Sequence, residues 1–363
     1  MTRLGNDIAQ RRLANQQLLT STLTDPAGVV RRLGAVQAQD YAGAKWGVGA
    51  RTRGAVDAVV ERAVSDGSIL RTHILRPTWH FVAPADIRWM LALTAARVKS
   101  AMAYHDQQLG LDAATFRRSR TALTRALRGG GQFTRAEPAQ VLRRARIGLT
   151  ESQRLGQLLM RAELDGIVCS GARRGKQATY ALLEERVPPA APLERDAALL
   201  ELTLRYFATR GPATLKDFAW WSGLTQADAG RGVQIAGRRL TREVIGGERY
   251  WCDPSRRPPR RRAPTAYLLP NFDEYLVSFE NRSAIAERLC STGIMTGRGA
   301  LLAHAIVVDG QVVGGWKRTL TKTAVVVDLR LLVDLTRSER EAVREAAQAF
   351  GAFLELPVAL RGL

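Results

Sequence analysis

The chain has 363 residues, enough for about two to four compact units, and its apolar fraction of 46% predicts a globular protein rather than a disordered one. Its 54 Lys and Arg residues against 34 Asp and Glu residues leave a net charge of +20, and of the polyanions that such a surface could bind, nucleic acid fits best. The sequence has no run of about 18 or more apolar residues, no basic amphipathic helix and no lipidation signal, which argues against a membrane protein.

The first residues, MTRLGNDIAQRRL, are polar and charged throughout and lack the apolar stretch of a secretory signal. We therefore expect a cytoplasmic, nucleoid-associated protein. Cys169, Cys252 and Cys290 are too widely separated for a disulfide framework or a zinc knuckle. They are expected to be reduced and mostly buried.

The predicted elements of residues 1–128 follow the order of a winged helix. Amphipathic helices are expected over residues 8–19, from the cap-like Thr24-Asp25-Pro26 to about residue 38, and over residues 55–64. The segment ILRTHILRPTWHFV predicts two short strands, and residues 84–127 are expected to be helical. Three helices followed by a two-stranded wing is the winged-helix order.

The same order recurs over residues 129–190 and 191–255. FTRAEPAQVLRRA and LTESQRLGQLLMRAELDGIV predict two helices, and CSGARRGKQATYALL predicts two strands around a basic turn. The third copy ends in REVIGGERYWC, where Gly246-Gly247 predicts a hairpin. These copies agree in pattern but not in letters, so a generic α/β arrangement stays an alternative.

The run SRRPPRRRAP, residues 255–264, predicts a stiff charged linker. Residues 263–363 form the last predicted domain, in which Asp309-Gly310 between two Val-rich runs indicates a hairpin. TRSEREAVREAAQAFGAFL predicts a closing amphipathic helix. The expected fold class is therefore α+β, mainly α, with tandem winged-helix units and a C-terminal β-rich subdomain.

Motifs for common chemistries are missing. The four histidines, His73, His80, His105 and His304, belong to no cluster with metal-ligand spacing. Neither a phosphate-binding loop ending in Gly-Lys-Ser/Thr nor a Gly-x-Ser-x-Gly elbow is present. We expect no metal and no cofactor.

Two glutamines remain as candidates, in LGAVQAQDYAGAKWG. Gln37 and Gln39 flank one alanine at the predicted end of the second helix, where fraying into a loop would bring both amides to one cavity. From the residues alone, capping of the helix end or exposure to water stays open. Asp40 is either a further pocket residue or an exposed turn residue.

AVQAQD, RTHILRPTWHFV, LLPNFDEYL and the tandem winged-helix order together resemble the bacterial winged-helix family of alkylation-specific DNA glycosylases named after AlkZ, over nearly the whole chain. In that family a glutamine, an intervening residue and a glutamine or aspartate form the catalytic motif, which Gln37 and Gln39 match. The resemblance implies a monofunctional, monomeric enzyme that removes N7-alkylated purines from double-stranded DNA and unhooks interstrand crosslinks, as in azinomycin resistance.

Amides suit this chemistry, because alkylation at N7 makes the purine a cationic leaving group and positioning becomes the main task. Our hypothesis is that Gln39 orients the attacking water and Gln37 binds the lesion nucleotide or the sugar. His80, beside Trp79, is either a pocket residue or a hydrogen-bonded structural residue.

Basic residues in two predicted turns and strand ends are candidate DNA contacts. They are Arg173, Arg174 and Lys176 in the second wing, and Lys317 and Arg318 after the C-terminal hairpin. Two further alternatives stay open: a winged-helix transcription regulator and a non-catalytic protein that binds DNA lesions.

Overall fold

A computed structural model describes residues 3–149, 152–255, 263–290 and 304–363. Its α-helices are α1 Arg3–Asn15, α2 Pro26–Leu33, α3 Tyr41–Gly49, α4 Asp57–Asp66, α5 Pro84–Gln108, α6 Ala113–Leu127, α7 Ala136–Arg144, α8 Ser152–Leu164, α9 Leu183–Arg186, α10 Arg195–Arg210, α11 Leu215–Ser222, α12 Gln226–Ala236, α13 Glu274–Val277, α14 Ser283–Cys290 and α15 Arg337–Leu354. Its β-strands are β1 Ala35–Gln37, β2 Leu70–His73, β3 Trp79–Val82, β4 Phe133–Thr134, β5 Val168–Ser170, β6 Thr179–Leu182, β7 Thr241–Ile245, β8 Glu248–Cys252, β9 Ala266–Leu269, β10 Ala305–Val308, β11 Gln311–Leu320, β12 Val325–Leu331 and β13 Val358–Arg361.

Two compact units make up the fold. Unit 1 comprises Met1–Val60, Leu200–Trp221 and Thr225–Leu363, and unit 2 comprises Glu61–Leu199 and Ser222–Leu224. The fold is mixed α/β, with more residues in helices than in strands. The division into three winged helices and a C-terminal subdomain stays a prediction. Most of the predicted linker at residues 255–264 lies outside the described residues.

Unit 1 contains a five-stranded sheet in the order β13-β12-β11-β10-β9. The turn between β10 and β11 is Asp309-Gly310, at φ 48° and 84°, which confirms the predicted hairpin since both positions need the left-handed region. Helix α15 packs on the sheet through Phe350, whose ring centroid lies 5.0 Å from that of Trp316. The predicted closing helix is thus confirmed.

The second predicted helix is shorter than expected, and as a result Gln37 lies in a strand instead of a helix. Asp25 caps α2 by accepting from the backbone of Ala27 and Gly28, as its sequence suggested, but the helix ends at Leu33 rather than near residue 38. Gly34 at φ +79° stops it, because this conformation favours glycine. The chain then runs extended through β1, so the expectation of a helix at Gln37 is wrong.

A further hairpin in unit 1 joins β7 and β8 through Gly246-Gly247, both at positive φ, as predicted. Helices α10, α11 and α12 precede it in the expected order. Helix α3 was not predicted. Because its last seven residues are all buried, it lacks the polar face on which an amphipathic pattern depends.

Unit 2 holds the antiparallel pair β2–β3, with His73 opposite Trp79, which confirms the two predicted strands. Helices α5 and α6 confirm the helical interpretation of residues 84–127. Further along the chain come β4, α7, α8, β5 and β6, and the three strands form a sheet in the order β4-β6-β5. This is the predicted order of helix, helix, strand, turn and strand, with β4 as an additional short strand.

Candidate active site and DNA-contact residues

Gln37 is the last residue of β1 and is 7% exposed. Its side-chain oxygen Oε1 is buried and has no hydrogen-bond partner among the described residues. A buried carbonyl oxygen without a donor is costly. The position is therefore suited to accept a hydrogen bond from a bound molecule or from water.

The backbone of Gln37 is fixed by a buried carboxylate. Its N–H donates to Oε1 of Glu274 at 2.8 Å, and Oε2 of Glu274 accepts from Nη2 of Arg210 at 2.6 Å, Nε1 of Trp221 at 2.9 Å and Oγ of Ser278 at 2.7 Å. Burial alone would raise the pKa of Glu274, but the charge of Arg210 and the hydrogen bonds from Arg210, Ser278 and the Gln37 backbone outweigh it and lower that pKa to about 2. Glu274 is thus an anion at neutral pH.

Gln39 lies in the loop between β1 and α3 and is exposed to solvent. Asp40 follows as the N-cap of α3, with Oδ1 accepting from the backbone N–H of Gly43 at 3.0 Å. The motif therefore joins a buried strand end to a capped helix start. One amide faces the interior and the other faces water.

Asp40 lies close to two side chains from elsewhere in unit 1. Its Oδ2 is 3.8 Å from Nη2 of Arg318 and 4.0 Å from Nε2 of His304. Burial and the charge of Arg318 lower the pKa of His304, while Asp40 acts in the opposite direction. The structure thus groups the predicted Asp40 and Arg318 and adds His304. Lys317 is exposed on β11, opposite Asp328 of β12.

His80 is completely buried on β3 in unit 2, and its Nδ1 lies 2.9 Å from the carbonyl oxygen of Thr78. This contact favours the structural interpretation of His80. His73 on β2 pairs with the carboxylate of Glu163, which also accepts from Nε1 of Trp79 at 3.3 Å.

The basic turn between β5 and β6 carries three of the predicted DNA contacts. Arg174 forms an ion pair with Glu137 at 3.3 Å, and Arg173 forms one with Glu61 at 3.5 Å. Lys176 is exposed. Two of the three cations therefore have a carboxylate neighbour, which reduces the charge that the turn presents to DNA.

A second basic surface in unit 2 was not predicted. It is an open cavity of about 660 Å³ between α5, α6 and the end of α8. Its charged lining consists of Asp165 and of the cations Arg88, Lys99, Arg117, Arg120 and Arg161. Asp165 is bonded by Lys99 at 2.7 Å and Arg161 at 3.3 Å, so the cavity keeps a positive excess. We call it the basic cleft.

Comparison with known proteins shows whether the chain belongs to a family of enzymes or to a family of non-catalytic DNA-binding proteins. The family model for AlkZ-like DNA glycosylases matches residues 30–353, a range that includes Gln37 and Gln39. The chain belongs to this family.

One curated relative of this AlkZ-like chain is the interstrand DNA cross-link repair glycosylase of Streptomyces sahachiroi, 25% identical over 361 residues. The match covers 93% of this chain and 92% of the relative. The solved structure of the Streptomyces sahachiroi DNA glycosylase AlkZ superposes with a TM-score of 0.80 at 22% identity, covering 99% of this chain and 100% of that one. The two chains share the fold.

The AlkZ-like chain contains functional candidates that sequence patterns did not reveal. Glu274 lies in LLPNFDEYL, a segment recognised only for its resemblance to the family, and Arg210 is the last residue of an amphipathic helix. The signal was the acidic pair Asp273-Glu274 between apolar residues, since carboxylates in a buried segment are uncommon unless they are paired.

In the described ranges, no three or more His, Cys, Asp or Glu residues are grouped as metal ligands. None of the helices in those ranges has the length and apolarity to cross a bilayer. Cys169 and Cys252 are buried as expected, and Cys290 is exposed.

Proposed function

We propose that this AlkZ-like protein hydrolyses the N-glycosidic bond of N7-alkylated purines in double-stranded DNA, with Gln37 and Gln39 as its catalytic residues. The observation that supports this most directly is the Gln37 side chain, whose amide oxygen is buried without a partner in the described structure. A family match that spans the motif supports it as well.

The chemistry requires little acid or base assistance. Alkylation at N7 places a positive charge on the purine, so the base leaves as a neutral molecule when the bond to C1′ breaks. The sugar then carries oxocarbenium character and is attacked by water. Held polar groups aimed at the reacting atoms lower the barrier without a change of protonation.

The two amides have different environments, which supports different roles. Gln39 is exposed and so is open to solvent, where its amide would orient the attacking water. Gln37 is nearly buried, and its oxygen would accept a hydrogen bond from the lesion nucleotide. Since neither amide titrates, we expect a flat dependence of the excision rate on pH around neutrality.

Interstrand crosslinks are the proposed further substrate, because the Streptomyces sahachiroi relative is named for their repair. A crosslinked base is tied to the opposite strand and cannot rotate fully out of the duplex, so an open site is needed. Tandem winged helices and cations such as Lys176 and Lys317 would hold the phosphate backbone. The enzyme would act as a cytoplasmic monomer.

Release of N7-methylguanine from a defined duplex tests the proposal. Gln37→Ala combined with Gln39→Ala should lower the single-turnover rate by about 10² to 10³, as for the loss of held polar groups in other active sites. Duplex affinity should be nearly unchanged. A crosslinked duplex then tests the second substrate.

The matched control is Gln107→Ala, which removes an exposed glutamine on α5 of unit 2. It should keep the full excision rate. Base release by the double-alanine variant at the rate of the unmodified protein would contradict the assignment of the two glutamines.

A further inference from the structure

We propose that the buried ion pair of Arg210 and Glu274 positions the Gln37-Ala38-Gln39 element, acting as a pair of positioning residues that do not touch the substrate. This inference rests on the proposed function, because it assumes that the two amides carry out the excision.

The ion pair forms hydrogen bonds with the backbone of residues 33–37, the segment that leads into the motif. Nη1 of Arg210 donates to the carbonyl oxygen of Leu33 at 2.8 Å, and Nη2 donates to that of Ala35 at 3.1 Å. Glu274 accepts from the N–H of Gln37 at 2.8 Å. In the extended chain of β1, the backbone groups of Ala35 and Gln37, two residues apart, point to the same side. The ion pair therefore takes the place of a neighbouring strand at this edge.

The pair is itself held in one geometry. Ser278 Oγ bridges it, accepting from Nε of Arg210 at 2.8 Å and donating to Oε2 of Glu274 at 2.7 Å. The indole of Trp221 donates to the same oxygen and lies 4.2 Å from the guanidinium carbon. Hydrogen bonds between charged groups are stronger than neutral ones, and a buried cation over an indole adds to them.

Stability alone is a poor explanation for this arrangement. Arg210 and Glu274 are both 0% exposed, and a buried ion pair contributes little net stability compared with apolar residues of the same volume. Its specific effect is to fix the backbone to which Gln37 belongs. Misplacing a catalytic group by about 1 Å lowers the reaction rate by about 10². Holding the end of β1 in place would therefore keep the excision rate high.

The test replaces both charges at once. Arg210→Gln with Glu274→Gln avoids leaving one buried charge unpaired. The matched control is Arg11→Gln with Glu243→Gln, which removes another pair of unit 1, bonded at 2.6 and 2.7 Å. There too the carboxylate has a pKa of about 2, owing to its hydrogen bonds from Arg11. The other side-chain hydrogen-bond partners of that pair among the described residues are Asp7 and Cys252, which lie outside β1.

We expect the Arg210/Glu274 variant to lose about 10² in the single-turnover rate of N7-methylguanine release, with unchanged duplex affinity, while the control keeps its rate. Added to Gln37→Ala with Gln39→Ala, the pair variant should lower the rate no further. This non-additivity distinguishes positioning of the two glutamines from a general loss of fold. Thermal unfolding of both variants shows whether they differ in stability.

A milder variant keeps the inference testable if the double replacement does not fold. Ser278→Ala removes only the hydroxyl that bridges the pair, and should lower the rate about threefold to tenfold, the value of one hydrogen bond. If no variant and not even the unmodified protein releases N7-methylguanine, the proposed function is wrong, and if Gln37→Ala leaves excision intact, the catalytic role of Gln37 is wrong. If Gln37→Ala abolishes excision but the pair variant, or Ser278→Ala when the pair variant does not fold, keeps the full rate, the positioning inference is wrong.

Discussion

The basic cleft of unit 2 leads to a quantitative prediction about DNA binding. Arg117 and Arg120 are exposed on α6 and line the cleft. Among the described residues, neither guanidinium has an ion-pair partner, whereas Lys99 and Arg161 are bonded to Asp165. Arg117 and Arg120 are therefore the cations of the cleft most available to phosphate, and Arg117→Ala with Arg120→Ala removes both.

The magnitude follows from counterion release. Each phosphate that a cation neutralises contributes about −0.9 to the slope of log K against log salt for double-stranded DNA. Loss of two contacts should flatten that slope by about 1.8. Over a fourfold increase in salt, the unmodified protein should lose about tenfold more affinity than the variant.

Fluorescence anisotropy of a labelled, undamaged duplex at a series of salt concentrations measures this slope. The control is Arg344→Ala with Arg361→Ala, which removes the same charge from exposed arginines that are paired with Glu341 and Asp328. An equal flattening in both variants would mean that net charge, not the cleft, determines binding. An unchanged slope in the cleft variant would remove Arg117 and Arg120 from the interface.

Two predictions concern stability. Arg51 and Asp273 form an ion pair with both side chains 1% exposed, bonded at 2.8 and 2.7 Å. Because Arg51→Met leaves a buried carboxylate without its partner, it should lower the free energy of unfolding in urea by about 3–5 kcal/mol. A loss below about 1 kcal/mol would contradict this prediction. Burial and the charge of Arg318 lower the pKa of His304 in the folded protein below 6.5. As the pH falls, His304 is therefore protonated in the unfolded chain before it is protonated in the folded protein. The free energy of unfolding should then fall as the pH drops below 6.5. His304→Asn should reduce that slope in denaturation curves at several pH values; an identical slope would contradict the assignment.

Local sequence patterns were sufficient for much of the fold. The Asp25 cap, the two glycine-containing hairpins and the helix α15 were all predicted, because each depends on residues that are near one another in the chain. Strand β13 was missed, since its parallel pairing with β12 reaches across a helix. Parallel pairing leaves no turn signal that a sequence pattern can reveal.

The candidate site, like the fold, was predicted from the sequence only in part. The Gln37 and Gln39 pair was found from a short motif, but the helix expected there is a strand because Gly34 ends α2 early. The support of Gln37 comes from Glu274, which is 237 residues further along the chain. No periodicity or spacing contains such a contact, and the sequence indicated it only through the acidic pair Asp273-Glu274 between apolar residues.

Unit 1 is built from three separate stretches of the chain, and this limits which gene segments can transfer the activity by recombination. Gln37 belongs to its first stretch, Met1–Val60, whereas Arg210 and Glu274 belong to the two later ones. A nascent polypeptide that ends before residue 274 lacks the carboxylate to which Gln37 is bonded. Recombination that exchanges only the first stretch between homologous genes would therefore transfer the glutamines without their backbone support.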